Sequence, residues 1–401
     1  MPVNTIANQI SRIKGRHFQT RRAVELEISH GTIVGVHDIG DELAGSSELP
    51  WIAPGFVDIQ SNGYGGQEFS SPDLTAEKVA VIARQQAVFG VTQFCPTVTT
   101  AGFETIVHSM KSIAAACERW VDVARCVAGI HLEGPYIARE DGPRGAHPLE
   151  HCRPPDWDEF VRFQDAAKGR IRIVTLAAEY SESPQLIRRA VASGVVVAIG
   201  HTSANSDQIR AAVDAGATLS THLGNGAHRM LRRHPNYIWD QLADDRLFAS
   251  LIVDGHHLPA EVVQTIVRAK TPARCLLVSD LSGLAGLPPG RYATQLCELE
   301  ILTDGRLVIA GQDQLLAGAS APIGVGVANV MRFAGVDLAT AIHMASQLPN
   351  RLLGRPLNGL LPGDPADLVA FELPQGPDGL PIDLEVRETV AAGESLYRAD
   401  V

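Results

Sequence analysis

Short runs of β-branched and other apolar residues alternate along the chain with longer stretches rich in Ala, Arg, Glu and Val. Eight such runs can be read, at 55–60, 92–97, 127–133, 172–179, 195–201, 218–223, 248–255 and 275–280. Each is apolar almost throughout and closes on one or two polar residues. Apolar runs separated by helix-like stretches predict a parallel sheet with helices on its outer face. Eight of them in one continuous span fit a closed (β/α)₈ barrel better than an open sheet. Periodicity alone leaves the open doubly wound sheet as the alternative.

The flanks follow a different rhythm. Segments 23–29 and 32–37 alternate apolar and polar residues, and so do ADLVAFEL (366–373) and LEVRETVAAGESLY (384–397). A period of two predicts half-buried antiparallel strands. The expected organisation is therefore a barrel over 54–363 and a small β-sandwich built from 1–53 together with 364–401. Its two halves would meet in space although they lie at opposite ends of the sequence.

The polar residues that close the runs carry the candidate chemistry. Gln60 and Asn62, then Glu133, Glu179, His201, His222, Asp254 with His257, and Asp280 fall at or just past strand ends. In a (β/α)₈ barrel that rim holds the active site. Taken singly, each has an ordinary reading: a core histidine with a hydrogen bond, or an Asp capping the next helix. Taken together, a carboxylate from strand three and imidazoles from strands five and six form a three-ligand set with a position left for water. Mixed N/O ligation suits Zn²⁺, and Fe²⁺, Mn²⁺ or Co²⁺ also fit. Hydrolysis further needs a carboxylate to move a proton, and Asp280 at the end of strand eight is the candidate.

Composition narrows the class. Hydrophobic residues make up 45% and charged residues 20%, as in a globular chain large enough to bury its own core. The formal net charge of −11 argues against a nucleic-acid partner. No apolar run is long enough to span a bilayer, and the first residues lack a signal-like apolar core. Six cysteines without a C-x-x-C pair read as reduced, buried thiols. The expectation is a soluble cytoplasmic protein.

Several motifs resemble the N-acetylglucosamine-6-phosphate deacetylase family of the amidohydrolase superfamily. They are PGFVDIQSNGYGG (54–66), HLEGPY (131–136), GHTSA (200–204), THLGNGAH (221–228), DGHH (254–257), LVSD (277–280) and LAGASAP (316–322). The resemblance implies metal-dependent removal of the acetyl group from N-acetyl-D-glucosamine 6-phosphate, releasing acetate. It implies one divalent metal on Glu133, His201 and His222, with Asp280 as general acid/base. Many amidohydrolases carry His-x-His after strand one, whereas this chain reads Gln60-Ser61-Asn62. Neutral amides are poor ligands, so one metal is expected rather than two.

The same resemblance places His147 at the acetyl carbonyl, with Ala146 beside it, and gives Asn225, Gly226, Arg233 and His257 to the sugar phosphate. It also implies a homodimer or higher homo-oligomer, in which Arg233 reaches a neighbouring subunit. The segment 227–239 departs from the family by its richness in Arg and His, and it surrounds the sugar pocket rather than the metal. An unphosphorylated N-acyl amino sugar or other small amide is therefore the alternative substrate. An inactive sugar-phosphate-binding barrel is the alternative from a different class.

Overall fold

The computed structural model describes residues 10–40, 49–294, 298–311 and 316–400. Eight parallel strands form one sheet: Phe56–Ser61, Val91–Thr99, Ile130–Glu133, Ile171–Leu176, Val196–Ile199, Leu219–Ser220, Phe248–Ile252 and Cys275–Val278. They lie side by side in chain order. The last returns to the first. The Asp280 N–H donates to the Gln60 carbonyl at 3.0 Å, and the Asn62 N–H donates to that of Leu281 at 2.7 Å. The sheet thus closes into the expected barrel.

Helices follow the strands as the alternation predicts, and their starts are written in side chains. Thr75, Asp156 and Asn236 each accept a backbone N–H of the first helical turn. Asn205 and Gln208 form a reciprocal capping box before Ser206–Asp214. The apolar faces of these helices and the barrel strands share one continuous core.

The terminal segments do meet. Trp51–Pro54 pairs in parallel with Ser11–His17 on one side and antiparallel with Leu368–Glu372 on the other. The result is a single seven-stranded sheet that also takes in Ala23–Ser29, Thr32–Asp38, Glu385–Ala391 and Glu394–Arg398. It packs on the end of the barrel where the strands begin. There the Thr389 hydroxyl donates to the Ala87 carbonyl at 2.6 Å. Gly90 sits at φ +77°, and a Cβ on it would lie 2.8 Å from Val369. The opposite end of the barrel stays open for the site.

One element had no forecast. Gly290–Ala293, Glu298–Ile301 and Leu307–Ile309 form a three-stranded antiparallel sheet after the eighth barrel strand. It has its own small cluster of Leu284, Leu299, Ile301 and Leu307. Five cysteines are buried and free, and Cys297 lies outside the described residues. Among the described residues, no helix is long and apolar enough to cross a membrane.

Candidate metal centre and active site

Glu133 ends the third strand, and His131 two residues earlier points to the same inner face. His201 and His222 follow the fifth and sixth strands. Their φ angles are +51° and +30°, and Asp280 after the eighth strand has φ +51°. L-residues rarely adopt this left-handed region, and holding them there costs about 1–3 kcal/mol each. The backbone turn at these positions ends the strand and directs the side chain over the barrel mouth.

Three donor atoms converge there. Glu133 Oε1 lies 3.2 Å from His201 Nε2 and 3.1 Å from His222 Nε2, and the two imidazole nitrogens are 3.1 Å apart. His201 Nδ1 is 2.8 Å from the Pro143 carbonyl, which fixes that proton on Nδ1 and turns the Nε2 lone pair inward. Two imidazole nitrogens facing each other and one carboxylate oxygen suit a shared cation. Tetrahedral ligands at about 2.1 Å from Zn²⁺ stand about 3.4 Å apart. The residues present therefore fit one divalent metal. Glu133, His147 and His201 also bring donor atoms within 4.8 Å of one another. The triangle with His222 is the tighter set.

Gln60 links this cluster to Asp280. Its Nε2 donates to Glu133 Oε2 and to Asp280 Oδ1, at 3.1 Å each. Asn62 Nδ2 donates to the same Asp280 oxygen at 2.8 Å. The Gln60 amide thus bridges the two carboxylates, while the Asn62 amide donates to Asp280 alone. Burial and the neighbouring Glu133 charge push the Asp280 carboxyl up to about 6. Burial also works against ionised Glu133, but its two imidazole partners outweigh this and hold it well below the usual range. Burial drives the His147 imidazole down to about 3, so it is neutral. Its ring meets that of His201 edge-on at 4.4 Å.

A cavity of about 300 Å³ opens over these groups. Ala146, His147, Asn225, Gly226 and His257 all line it. His257 is held by Asp254, Nδ1 to Oδ2 at 2.7 Å. One strand-end residue, Glu179, and the loop residue Arg233 lie outside this lining. Glu179 turns away and accepts from the Thr202 hydroxyl at 2.6 Å and from Ser203. Arg233 is exposed and lies outside the cavity lining of its own chain, whereas Arg229 is within it. The loop carrying both is pinned by His228, which meets Tyr237 Oη at 2.9 Å and Glu140 Oε1 at 3.0 Å.

Sequence reasoning assigned no role to His131, Thr175 and Thr221. His131 contacts the Ile59 carbonyl at 3.0 Å and the Thr175 hydroxyl at 2.7 Å, and Thr175 reaches the Thr221 hydroxyl at 2.7 Å. This chain of contacts ties strand three, which carries Glu133, through strand four to the residue before His222. The signal was present: His131 and Glu133, like Asp58 and Gln60, are spaced by two on one strand and share its inner face.

A closed barrel with a buried Glu/His/His cluster at the strand ends defines a metal-dependent hydrolase of the amidohydrolase type. The amidohydrolase family matches residues 51–396, and the chain belongs to it. Among its relatives is the N-acetylglucosamine-6-phosphate deacetylase of Homo sapiens, 35% identical over 361 residues, spanning 87% of this chain and 84% of that protein. The N-acetylgalactosamine-6-phosphate deacetylase of Escherichia coli O157:H7 is 34% identical over 353 residues, spanning 87% of this chain and 90% of that protein. In structure, the chain is similar to the N-acetyl-D-glucosamine-6-phosphate deacetylase of Mycobacterium smegmatis, solved as a variant with N-acetyl-D-glucosamine 6-phosphate. The TM-score is 0.81 at 31% identity, covering 94% of this chain and 95% of that one.

Proposed function

We propose that this protein hydrolyses the acetamide of N-acetyl-D-glucosamine 6-phosphate, yielding glucosamine 6-phosphate and acetate. The observation that carries the reading is the Glu133–His201–His222 triangle, with Asp280 one Gln60 side chain away. The relatives support the substrate class, and a cavity of about 300 Å³ suits a single sugar ring.

Glu133, His201 and His222 would hold one divalent ion, with Zn²⁺ the choice that fits the donors. When bound, such an ion polarises the acetyl carbonyl and makes water acidic enough to attack near neutral pH. Asp280 takes the proton from the attacking water and later gives it to the sugar nitrogen, so that the amine leaves neutral. His147, uncharged, donates a ring N–H to the carbonyl oxygen as negative charge develops there. Gln60 and Asn62 keep Asp280 aimed. His257, oriented by Asp254, joins Asn225 and Gly226 in holding sugar and phosphate oxygens.

Arg233 acts from the neighbouring copy of a homodimer in this reading. The exposed apolar side chains of Met230, Leu231 and Trp239 around it support such a contact. The composition fits a cytoplasmic enzyme. The N-acetylgalactosamine-6-phosphate relative keeps the C4 epimer in view as a second substrate. The test is acetate release by metal-replete protein from both N-acetylhexosamine 6-phosphates and from the unphosphorylated sugars. Turnover is expected with the phosphates and to be far weaker without them. Equal turnover of the plain sugars would move the assignment to an unphosphorylated substrate.

A further inference from the structure

Glu68 ends the short strand Gln67–Glu68, which pairs with Gly63–Tyr64 directly after the first barrel strand. It lines the active-site cavity with Asn62, Ser70, Thr99 and Ser282. Among the described residues its carboxylate has no hydrogen bond and no ion pair, and burial alone pushes its pKa up. Lys78 borders a second depression that Glu68 also lines, but its ammonium donates to the Asp73 carbonyl at 2.9 Å. A half-buried carboxylate without a donor is costly unless something else supplies one.

The fold makes room for this side chain. A Cβ on Gly283 would fall 2.1 Å from Glu68 Cγ, so only glycine leaves the notch that Glu68 fills. The neighbouring hydroxyls act as acceptors from other groups, and neither donates to Glu68. Ser70 Oγ accepts from the Thr99 N–H at 2.7 Å and from its hydroxyl at 2.9 Å, and Ser282 Oγ accepts from the Leu284 N–H at 3.3 Å. Glu68 is left with open acceptors on this wall. Arg229, His256 and His257 line the same cavity from the loops after strands six and seven and suit an anion. The cavity thus offers basic groups for a phosphate and a carboxylate that repels one.

We propose that Glu68 is a specificity-determining residue that accepts a hydrogen bond from a ring hydroxyl of the bound amino sugar, while the basic groups take the phosphate. The inference rests on the deacetylase reading above. A charged acceptor committed to a hydroxyl discriminates strongly against an analogue lacking it, because the acceptor is then left buried and unpaired.

The experiment is a cycle between side chain and substrate. Acetate release is measured for wild type, Glu68→Ala and Glu68→Gln on N-acetyl-D-glucosamine 6-phosphate and on its 1-deoxy, 3-deoxy and 4-deoxy analogues. Wild type should lose about tenfold or more in kcat/KM on one analogue. Glu68→Ala should lose a similar factor on the parent and little further on that analogue, since both changes remove one interaction. Glu68→Gln fills the same notch and keeps one acceptor oxygen. It should fall between the two, and it carries the cycle if Glu68→Ala does not fold. Losses that simply multiply for every analogue, or unchanged kcat/KM for both variants on the parent, would overturn the proposal. Wild type that leaves the parent intact would instead overturn the deacetylase reading, and this inference with it.

Discussion

Asp280 carries two amide hydrogen bonds on one oxygen, from Gln60 and Asn62, and its other oxygen has no partner among the described residues. Substituting Asp280→Asn removes the proton carrier and keeps the shape. The expected loss is about 10²- to 10⁴-fold in kcat with metal content unchanged. Apoprotein stability should hold or rise, because burial and the Glu133 charge beside it disfavour the ionised aspartate. Activity within tenfold of wild type would take Asp280 out of the mechanism. Asp58, two residues before Gln60, accepts from the Ser279 hydroxyl and from backbone N–H groups. Burial still pushes its pKa up from 3.8 to about 7. Between those values the unfolded chain ionises at this position while the folded chain stays protonated, so stability falls as pH rises across that window. Asp58→Asn should flatten the decline in Tm between pH 5 and pH 7.5 relative to wild type. Parallel Tm–pH curves for the two proteins would refute this.

At the scale of elements, what the sequence shows best is where apolar runs stop. The runs expected at 195–201, 218–223 and 275–280 are strands ending at Ile199, Ser220 and Val278. Ladder pairing ends early because the functional residues beyond have left-handed or loop backbone, which a hydropathy pattern does not register. Ser11–His17 escaped notice for another reason. Its alternation is of charges, held by cross-strand pairs such as Arg12–Glu27 at 2.7 Å and Lys14–Glu25 at 3.5 Å. The candidate ligands were legible because a polar residue is costly inside an apolar run. The Gln60 bridge was not, since it depends on which strands become neighbours when the barrel closes. Gly226 shows how tightly the loops fit around the ligands. It has φ +57°, and a Cβ there would stand 2.7 Å from His201 Nδ1. Gly226→Ala should push His201 off its Pro143 anchor and weaken metal binding by tenfold or more, in keeping with losses at groups that orient ligands. Metal titration against a competing chelator measures it. Unchanged affinity would mean that the loop yields rather than the histidine.

In the whole molecule, the candidate ligands come from strands three, five and six, and Asp280 from the strand that closes the ring onto strand one. Without a cation, this arrangement buries a carboxylate against two imidazoles and places a second carboxylate nearby. With one, a single ion joins segments 89 residues apart in the chain, from Glu133 to His222. An ion that binds only the folded state stabilises it by mass action, by about 2.7 kcal/mol when free metal is at 100 times Kd. Spread over a chain of this size, that corresponds to a rise in Tm of a few degrees. Removing metal with a chelator should therefore lower Tm, and adding Zn²⁺ back should restore it. Glu133→Gln is the control. It keeps the side-chain volume but replaces the anionic donor, so its Tm should hardly respond to added metal. Because the seven-stranded sheet packs at the far end of the barrel, hydrogen exchange can separate a local effect from a global one. Amides of strands three, five and six should gain protection on metal binding, while those of Glu385–Ala391 change little. Equal Tm for stripped and reloaded wild-type protein would mean that the Glu/His/His cluster holds no structurally significant ion.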